Sequence, residues 1–219
     1  EKINADSCVL LSFKWEFLRR KTMLPYMAEV DLNKAYRLLN VGGTTLVSAS
    51  FDGVSDIMPA TWACALDLAP TKATVVVDSS HFTRPLMEKS GYFSLQLPTV
   101  GIVKETMRLG AVSKYDMPDK VEKSGAELFT MPGYDLPLVK GCAAWMIFKI
   151  LNEPHNQQNY DLFIGECVAA WSDTRVFSSG HWHFEKASAD LRTLHYVAGG
   201  HFYTIGEPLR IEGILPEED

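Results

Sequence analysis

The dipeptide Asp52-Gly53 constrains the fold most, because it interrupts a run of strand-forming residues between positions 41 and 66. Asp-Gly is typical of the tight turns that join neighbouring antiparallel strands. We therefore predict two strands around this turn. A hairpin here favours an antiparallel sheet.

Further strands and short helices are predicted along the rest of the chain. Apolar runs predict strands over residues 73–78, 92–98, 138–151 and 161–173. Helical spacing predicts short helices over 31–40 with Asp31 as a cap, 84–91 with Gly91 at its end, and 104–112, with a further turn or two in 116–125. The polar stretch EPHNQQN suits a hairpin loop. Many strands with few short helices indicate a β-barrel with helical insertions.

Composition and charge indicate which class of protein the chain belongs to. The chain has 219 residues, 47% hydrophobic and 22% charged, which suits one soluble globular domain. The net charge of −6 argues against nucleic acid or an acidic membrane as a partner. No apolar run approaches the roughly 20 residues of a spanning helix. The cysteines, which form no CxxC pair, suggest buried thiols in a reducing cytoplasm: Cys8, Cys64, Cys142 and Cys167.

The first 22 residues read differently from the rest. Their short apolar run follows an acidic stretch and does not resemble a secretory signal. Met23 begins a stretch that reads like an ordinary start. We predict an N-terminal extension over residues 1–22 and a single domain over residues 23–219.

A polar turn stands where the strand at 73–78 passes into the next helix. It contains three hydroxyls, an imidazole and a guanidinium: Ser79, Ser80, His81, Thr83 and Arg84. Unpaired N–H groups at a helix N-terminus, joined by such side chains, suit a phosphate monoester. A plain cap is the alternative, in which Ser80 or Thr83 caps the helix while His81 and Arg84 lie in solvent.

The order of several motifs resembles the flavin reductase-like family, flavoredoxin-type members in particular. The motifs are IMPATW at 57–62, SSHFT at 79–83, YFSLQLP at 92–98, LGAVSKYDMPDK at 109–120 and YDLFIGECV at 160–168. The resemblance covers roughly residues 35–206. It implies a mainly β fold: an FMN-binding split β-barrel, antiparallel and Greek-key, with short peripheral α-helices.

The same resemblance implies a set of FMN-binding residues. Ring contacts fall on Ile57, Met58, Pro59, Ala60, Thr61 and Trp62. Phosphate contacts fall on Ser79, Ser80, His81 and Thr83, with Arg84 a weaker candidate. Ser113 and Lys114 would lie near the ribityl chain or phosphate, and Lys120 matches a lysine frequent in flavoredoxin-like members. Ordinary alternatives remain: Trp62 as a core aromatic, Ile57 and Met58 as plain strand residues, and Lys120 on a solvated helix face.

The implied activity is an FMN-dependent oxidoreductase. It would pass electrons from NAD(P)H through bound FMN to flavin, ferric iron or a protein acceptor, with no essential general base. Tyr160 stands where the family usually has a His tied to nicotinamide use. The alternative is therefore an FMN-binding electron carrier or ligand-binding protein without nicotinamide turnover. The open rims of such a barrel and the tail GGHFYTIGE predict a homodimer with two flavin sites at or near the interface. The resemblance implies that this tail packs near a flavin edge, often that of the partner subunit.

Two other chemistries fit less well. His181 and His183 are two residues apart and would share one face of a strand, but no third ligand is spaced to complete a metal site. We expect a polar surface or a dimer contact there. A Ser–His–Asp hydrolase lacks its GxSxG turn, and Cys167 has no evident base beside it.

Overall fold

The computed structural model describes residues 27, 30–39, 42–209 and 211, in two compact units, residues 1–39 and 40–219. In the first unit Leu32–Leu38 forms a 3-10 helix. Asp31 caps it as predicted, accepting a hydrogen bond from the Asn33 N–H at 3.0 Å. The predicted extension, residues 1–22, lies outside the described residues.

The second unit is built on a seven-stranded antiparallel sheet. Its strands are β1 (Thr45–Phe51), β2 (Val54–Ala60), β3 (Ala63–Leu68), β4 (Thr71–Val76), β5 (Tyr92–Pro98), β8 (Cys142–Ile150) and β9 (Leu162–Ser172). Their order across the sheet is β2-β1-β5-β8-β9-β4-β3. The prediction of a mainly β, antiparallel fold is confirmed.

The connection between β2 and β3 curls this sheet into a barrel. These strands are the two edges of the sheet, yet only Thr61 and Trp62 separate the end of β2 from the start of β3. A flat sheet would hold its edges several strand spacings of about 4.8 Å apart. Two residues cannot cross that distance, so the edges approach each other and leave a split between them.

Short helices and three hairpins surround the sheet. The helices are α1 (Thr83–Ser90), α2 (Val103–Ala111), α3 (Lys120–Ser124) and α4 (Pro154–Tyr160), with 3-10 turns at Val100–Ile102, Phe184–Lys186 and Ala189–Leu191. The hairpins pair β6 (Leu128–Met131) with β7 (Tyr134–Val139), β10 (Phe177–Ser178) with β11 (His181–Trp182), and β12 (Leu194–Ala198) with β13 (His201–Thr204). Among the described residues no helix is long and apolar enough to span a membrane.

Three predicted elements are corrected. The strand predicted over 138–151 is interrupted at Gly141, whose φ of 87° turns the chain between β7 and β8. The segment predicted as a loop forms α4, with Pro154 in the first helical turn, where its missing N–H costs nothing. The second strand of the 41–66 pair is in fact two strands, β2 and β3.

The core fills the barrel between the sheet and α1. Its largest members are the stacked pair Phe93 and Phe148, with ring centroids 5.2 Å apart, together with Phe163 and Met87. Gly165 of β9 lies against the first two, because a Cβ there would stand 2.6 Å from Phe93 and 2.7 Å from Phe148. The glycine in the YDLFIGECV motif therefore allows β9 to pack closely on these rings.

Candidate active site

A cavity of about 500 Å³ opens beside the split in the barrel. β2 lines one side, the turn before α1 and the C-terminal half of α2 line others, and α3 and the β12–β13 hairpin complete it. Its volume falls within the roughly 300–1,000 Å³ typical of small-molecule sites. The cavity therefore has the size of a ligand-binding site.

One end of the cavity contains a buried ion pair. Lys120, the first residue of α3, places its Nζ 3.0 Å from Oδ1 of Asp56 on β2, and the two side chains are 4% and 1% exposed. The Thr83 hydroxyl donates to the other carboxylate oxygen of Asp56 at 2.7 Å. Asp56 thus joins β2 to the first residues of α1 and α3.

The ammonium of Lys120 retains a donor for a ligand. Besides Asp56, its partner in the described part of the chain is the Leu109 carbonyl, at 3.3 Å. A protonated lysine has three N–H donors, so at least one is left over. Asp56 Oδ1 makes no directional hydrogen bond despite its contact with Nζ, which identifies the contact as ionic. The solvated-face alternative for Lys120 is therefore wrong.

The polar turn before α1 is held by Asp78. Its carboxylate accepts the Ser80 N–H at 2.8 Å, and its carbonyl accepts the His81 N–H at 3.0 Å. Hydrogen bonds from the side chain and then the N–H of Ser80 lower the pKa of Asp78 below its ordinary value. The helix has no side-chain cap, so the plain-cap alternative is also wrong.

Arg84 points away from the cavity. Its guanidinium donates to Glu88, Asp161 and the carbonyls of Val77 and Gln157, tying α1 to α4 and β9. Burial by itself would lower the pKa of Arg84, but the hydrogen bonds to Glu88 and Asp161 outweigh it and raise that pKa. The donors of this guanidinium are used in structural contacts, so the structure does not support Arg84 as a phosphate ligand.

The other end of the cavity is apolar and aromatic. A Cβ on Gly110 would stand 2.4 Å from the Pro59 ring, so α2 packs closely on β2. Lys114 donates to the Ser55 carbonyl at 2.7 Å, further back along β2. After Gly110, the chain therefore passes back along β2 toward Ser55.

Two aromatic rings close this end. Tyr196 of β12 and Phe202 of β13 line the cavity, with their ring centroids 5.0 Å apart. Their hairpin attaches to the strand side of the cavity through Thr44, whose hydroxyl accepts the Tyr196 N–H at 3.0 Å. The GGHFYTIGE tail thus reaches the cavity of its own chain.

The structure brings together nine of the predicted residues on the cavity wall: Met58, Pro59, Ala60, Thr61, Ser80, His81, Thr83, Ser113 and Lys120. Five others lie outside the wall: Ile57, Trp62, Ser79, Arg84 and Lys114. Ile57 is fully buried among Leu46 and Leu109, because neighbouring side chains alternate across a strand. Trp62 is 52% exposed, so it is not a core aromatic.

The wall also contains residues that the sequence analysis did not name as site residues, namely Thr44, Asp56, Phe82, Thr106, Met107, Leu109, Gly110, Ala111, Val112, Tyr196 and Phe202. The helical spacing of Thr106, Leu109 and Gly110 is the signal that would have placed these three on one face. Asp56 carried a second signal, as an acidic residue inside a mostly apolar strand. Its partner Lys120 lies 64 positions away and no local pattern connects them.

Tyr160, which stands where the resembled family usually has a histidine, is not on the cavity wall. Tyr160 ends α4, is 62% exposed and packs edge-on against His155, with centroids 5.7 Å apart. Neither of the two lines the cavity. Among the described residues no three His, Cys, Asp or Glu side chains form a metal site, and His183 instead lies 3.7 Å from Glu185.

Comparison with known proteins supplies the family context. Residues 39–205 match the flavin reductase like domain. The chain is 38% identical over 182 residues to the uncharacterized protein YddH of Escherichia coli K12, covering 81% of this chain and 94% of that protein.

Two solved structures are similar over most of their length. An FMN-binding domain of a flavin reductases-like enzyme from Shewanella baltica shares 53% identity with a TM-score of 0.76, covering 84% of this chain and 97% of that one. Flavoredoxin from Methanosarcina acetivorans shares 26% identity with a TM-score of 0.65, covering 85% and 95%.

Proposed function

Because the chain belongs to the flavin reductase like domain family, we propose that it binds FMN in this cavity and acts as an oxidoreductase. The cavity's division into a charged end and an apolar, aromatic end carries the proposal. FMN has the same division, between its phosphate and its ring. The Shewanella baltica structure at 53% identity, described as FMN-binding, supports the same ligand.

The charged end suits the phosphate. Ser80 and His81 are exposed at the opening, next to the N-terminus of α1, where N–H groups and the helix dipole favour an anion. The remaining N–H of Lys120 adds a charge-assisted donor. The carboxylate of Asp56 is paired with the Lys120 ammonium and accepts a hydrogen bond from Thr83, which weakens its repulsion of the phosphate.

The apolar end suits the isoalloxazine ring. Met58, Pro59 and Ala60 line this end from β2, and the rings of Tyr196 and Phe202 line it from the β12–β13 hairpin. Such walls exclude water and hold a planar ring in one orientation. The redox chemistry would come from the flavin ring, while the protein supplies binding, orientation and electrostatics.

The proposed electron donor is NAD(P)H, with flavin, ferric iron or a protein as acceptor. One observation favours the alternative of an electron carrier without nicotinamide turnover, namely that Tyr160 replaces the family's histidine and lies off the cavity wall. Anaerobic mixing with NADH or NADPH separates the two. Loss of the oxidised-flavin absorbance supports the reductase, and no loss with either nucleotide supports the carrier.

The binding proposal has its own test. The purified protein should show an oxidised-flavin absorbance band and bind FMN about tenfold or more tightly than riboflavin, which lacks the phosphate. Ser80→Ala and His81→Ala should each narrow that preference. Ser79→Ala is the matched control, because Ser79 adjoins them but lies off the wall. Equal affinity of the unmutated protein for both flavins would contradict the assignment of the phosphate end.

A further inference from the structure

A hydroxyl with no partner faces the cavity from α2. Thr106 is 1% exposed, lines the cavity, and its Oγ1 has no hydrogen-bond partner within the described residues. A buried threonine in a helix commonly donates to the carbonyl four residues earlier, but Thr106 makes no such bond. Burying a polar atom without a partner is unfavourable, so this hydroxyl indicates a ligand.

The position of Thr106 in the cavity determines which part of the ligand its hydroxyl would contact. Gly110, one turn later on the same helix face, packs on Pro59, and the chain beyond it runs back toward Ser55. Thr106 therefore lies toward the ring end, and the buried pair of Asp56 and Lys120 lies toward the other end. The charged residues of the wall lie at the end of the cavity that holds this pair. The partner that fits the Thr106 hydroxyl is therefore a neutral hydrogen-bonding group of the ligand.

We propose that Thr106 is a specificity-determining residue whose hydroxyl hydrogen-bonds to the polar edge of the flavin ring. This inference rests on the proposed binding of FMN and adds a ring contact that no motif marks. The pyrimidine part of the ring carries carbonyl oxygens and N–H groups, and a threonine hydroxyl can both donate and accept. The contact would select for the ring whether or not a phosphate is attached.

The test compares three ligands that share the ring. FMN, riboflavin and lumiflavin are titrated against the unmutated protein and Thr106→Val by flavin fluorescence. Valine keeps the shape and removes the hydroxyl. Loss of one neutral hydrogen bond should weaken binding about three- to tenfold for every ligand, leaving the FMN-to-riboflavin ratio unchanged. Thr106→Ser, which retains the hydroxyl, should recover most of the affinity.

The outcomes separate this inference from the function it rests on. Binding of no flavin by the unmutated protein would overturn the proposed function and this inference together. Flavin binding that Thr106→Val leaves unchanged, with an unaltered melting temperature, would overturn this inference alone. A narrowed FMN-to-riboflavin ratio in Thr106→Val would also overturn it, because that result places the residue at the phosphate.

Discussion

Lys120 is an ammonium almost wholly removed from water, which is costly unless an opposite charge compensates it. Asp56 supplies that charge, and Thr83 occupies its other oxygen. Removing one member leaves the other as an uncompensated buried charge. The pair therefore affects both the stability of the protein and the charge of the cavity. At the residue scale, the cavity's charge is set by a contact between two distant positions.

A double-mutant cycle tests this pair. Asp56→Asn and Lys120→Met should each lower the free energy of unfolding by about 3–5 kcal/mol, because each leaves a buried charge uncompensated. The double variant should lose clearly less than the sum of the two. Urea unfolding of flavin-free protein measures all four forms without a contribution from ligand binding. Additive losses would show that the two side chains do not interact.

A second residue-scale prediction concerns Arg84. Arg84→Lys keeps the charge but loses the fork that reaches Asp161 and Gln157 together. We expect a loss of stability of about 1–3 kcal/mol and an unchanged preference for FMN over riboflavin. Thermal unfolding and flavin titration of the same preparation measure both. A reduced preference would restore Arg84 as a phosphate ligand.

At the scale of elements, close approach decides which residues the strands tolerate. Gly165→Ala should destabilise the protein by about 1–3 kcal/mol, since its Cβ would stand 2.6 Å from Phe93 in a filled core. Gly43→Ala is the matched control, because no atom lies within 4 Å of the position of its Cβ. Chemical denaturation should leave that control within about 0.5 kcal/mol of the unmutated protein. Equal effects at both positions would show that the core can relax around Gly165.

Elements with local signals were predictable from the sequence. Asp52 and Gly53 both have positive φ, at 52° and 72°, so the dipeptide itself specifies the turn between β1 and β2. The helix at 154–160 was missed because its polar residues carry no apolar stripe, and it is held through contacts such as that of Arg84 with Gln157.

The candidate site also contains residues with local sequence signals and residues without them. Residues in short motifs, such as Met58 to Thr61 and Ser80 to His81, could be placed together from sequence. Arg84 was adjacent to them in sequence but faces the other side of α1, toward Asp161. Phe202 lies in the tail that the resemblance placed near a flavin edge, whereas Tyr196 reaches the cavity through the fold of the whole chain, which local pattern cannot supply.

At the scale of the whole molecule, the exposed edge strand β3 needs an explanation. Trp62, just before β3, is 52% exposed. Leu66 and Leu68, within β3, are 51% and 92% exposed. Exposed apolar edge strands tend to pair with another chain. The edge also adjoins Thr61 on the cavity wall, so a partner placed there would lie near the ligand. These features support the predicted homodimer.

We therefore expect sedimentation velocity to show a dimer at micromolar concentration. Leu66→Glu should shift it toward monomer, because a charge on this edge must be desolvated before two copies can pair. Leu128→Glu is the matched control, since Leu128 is an exposed leucine on β6, outside the seven-stranded sheet. If the unmutated protein sediments as a monomer while holding FMN, the dimer is wrong. If both variants remain dimeric, β3 is not the interface and the exposed edge requires another occupant.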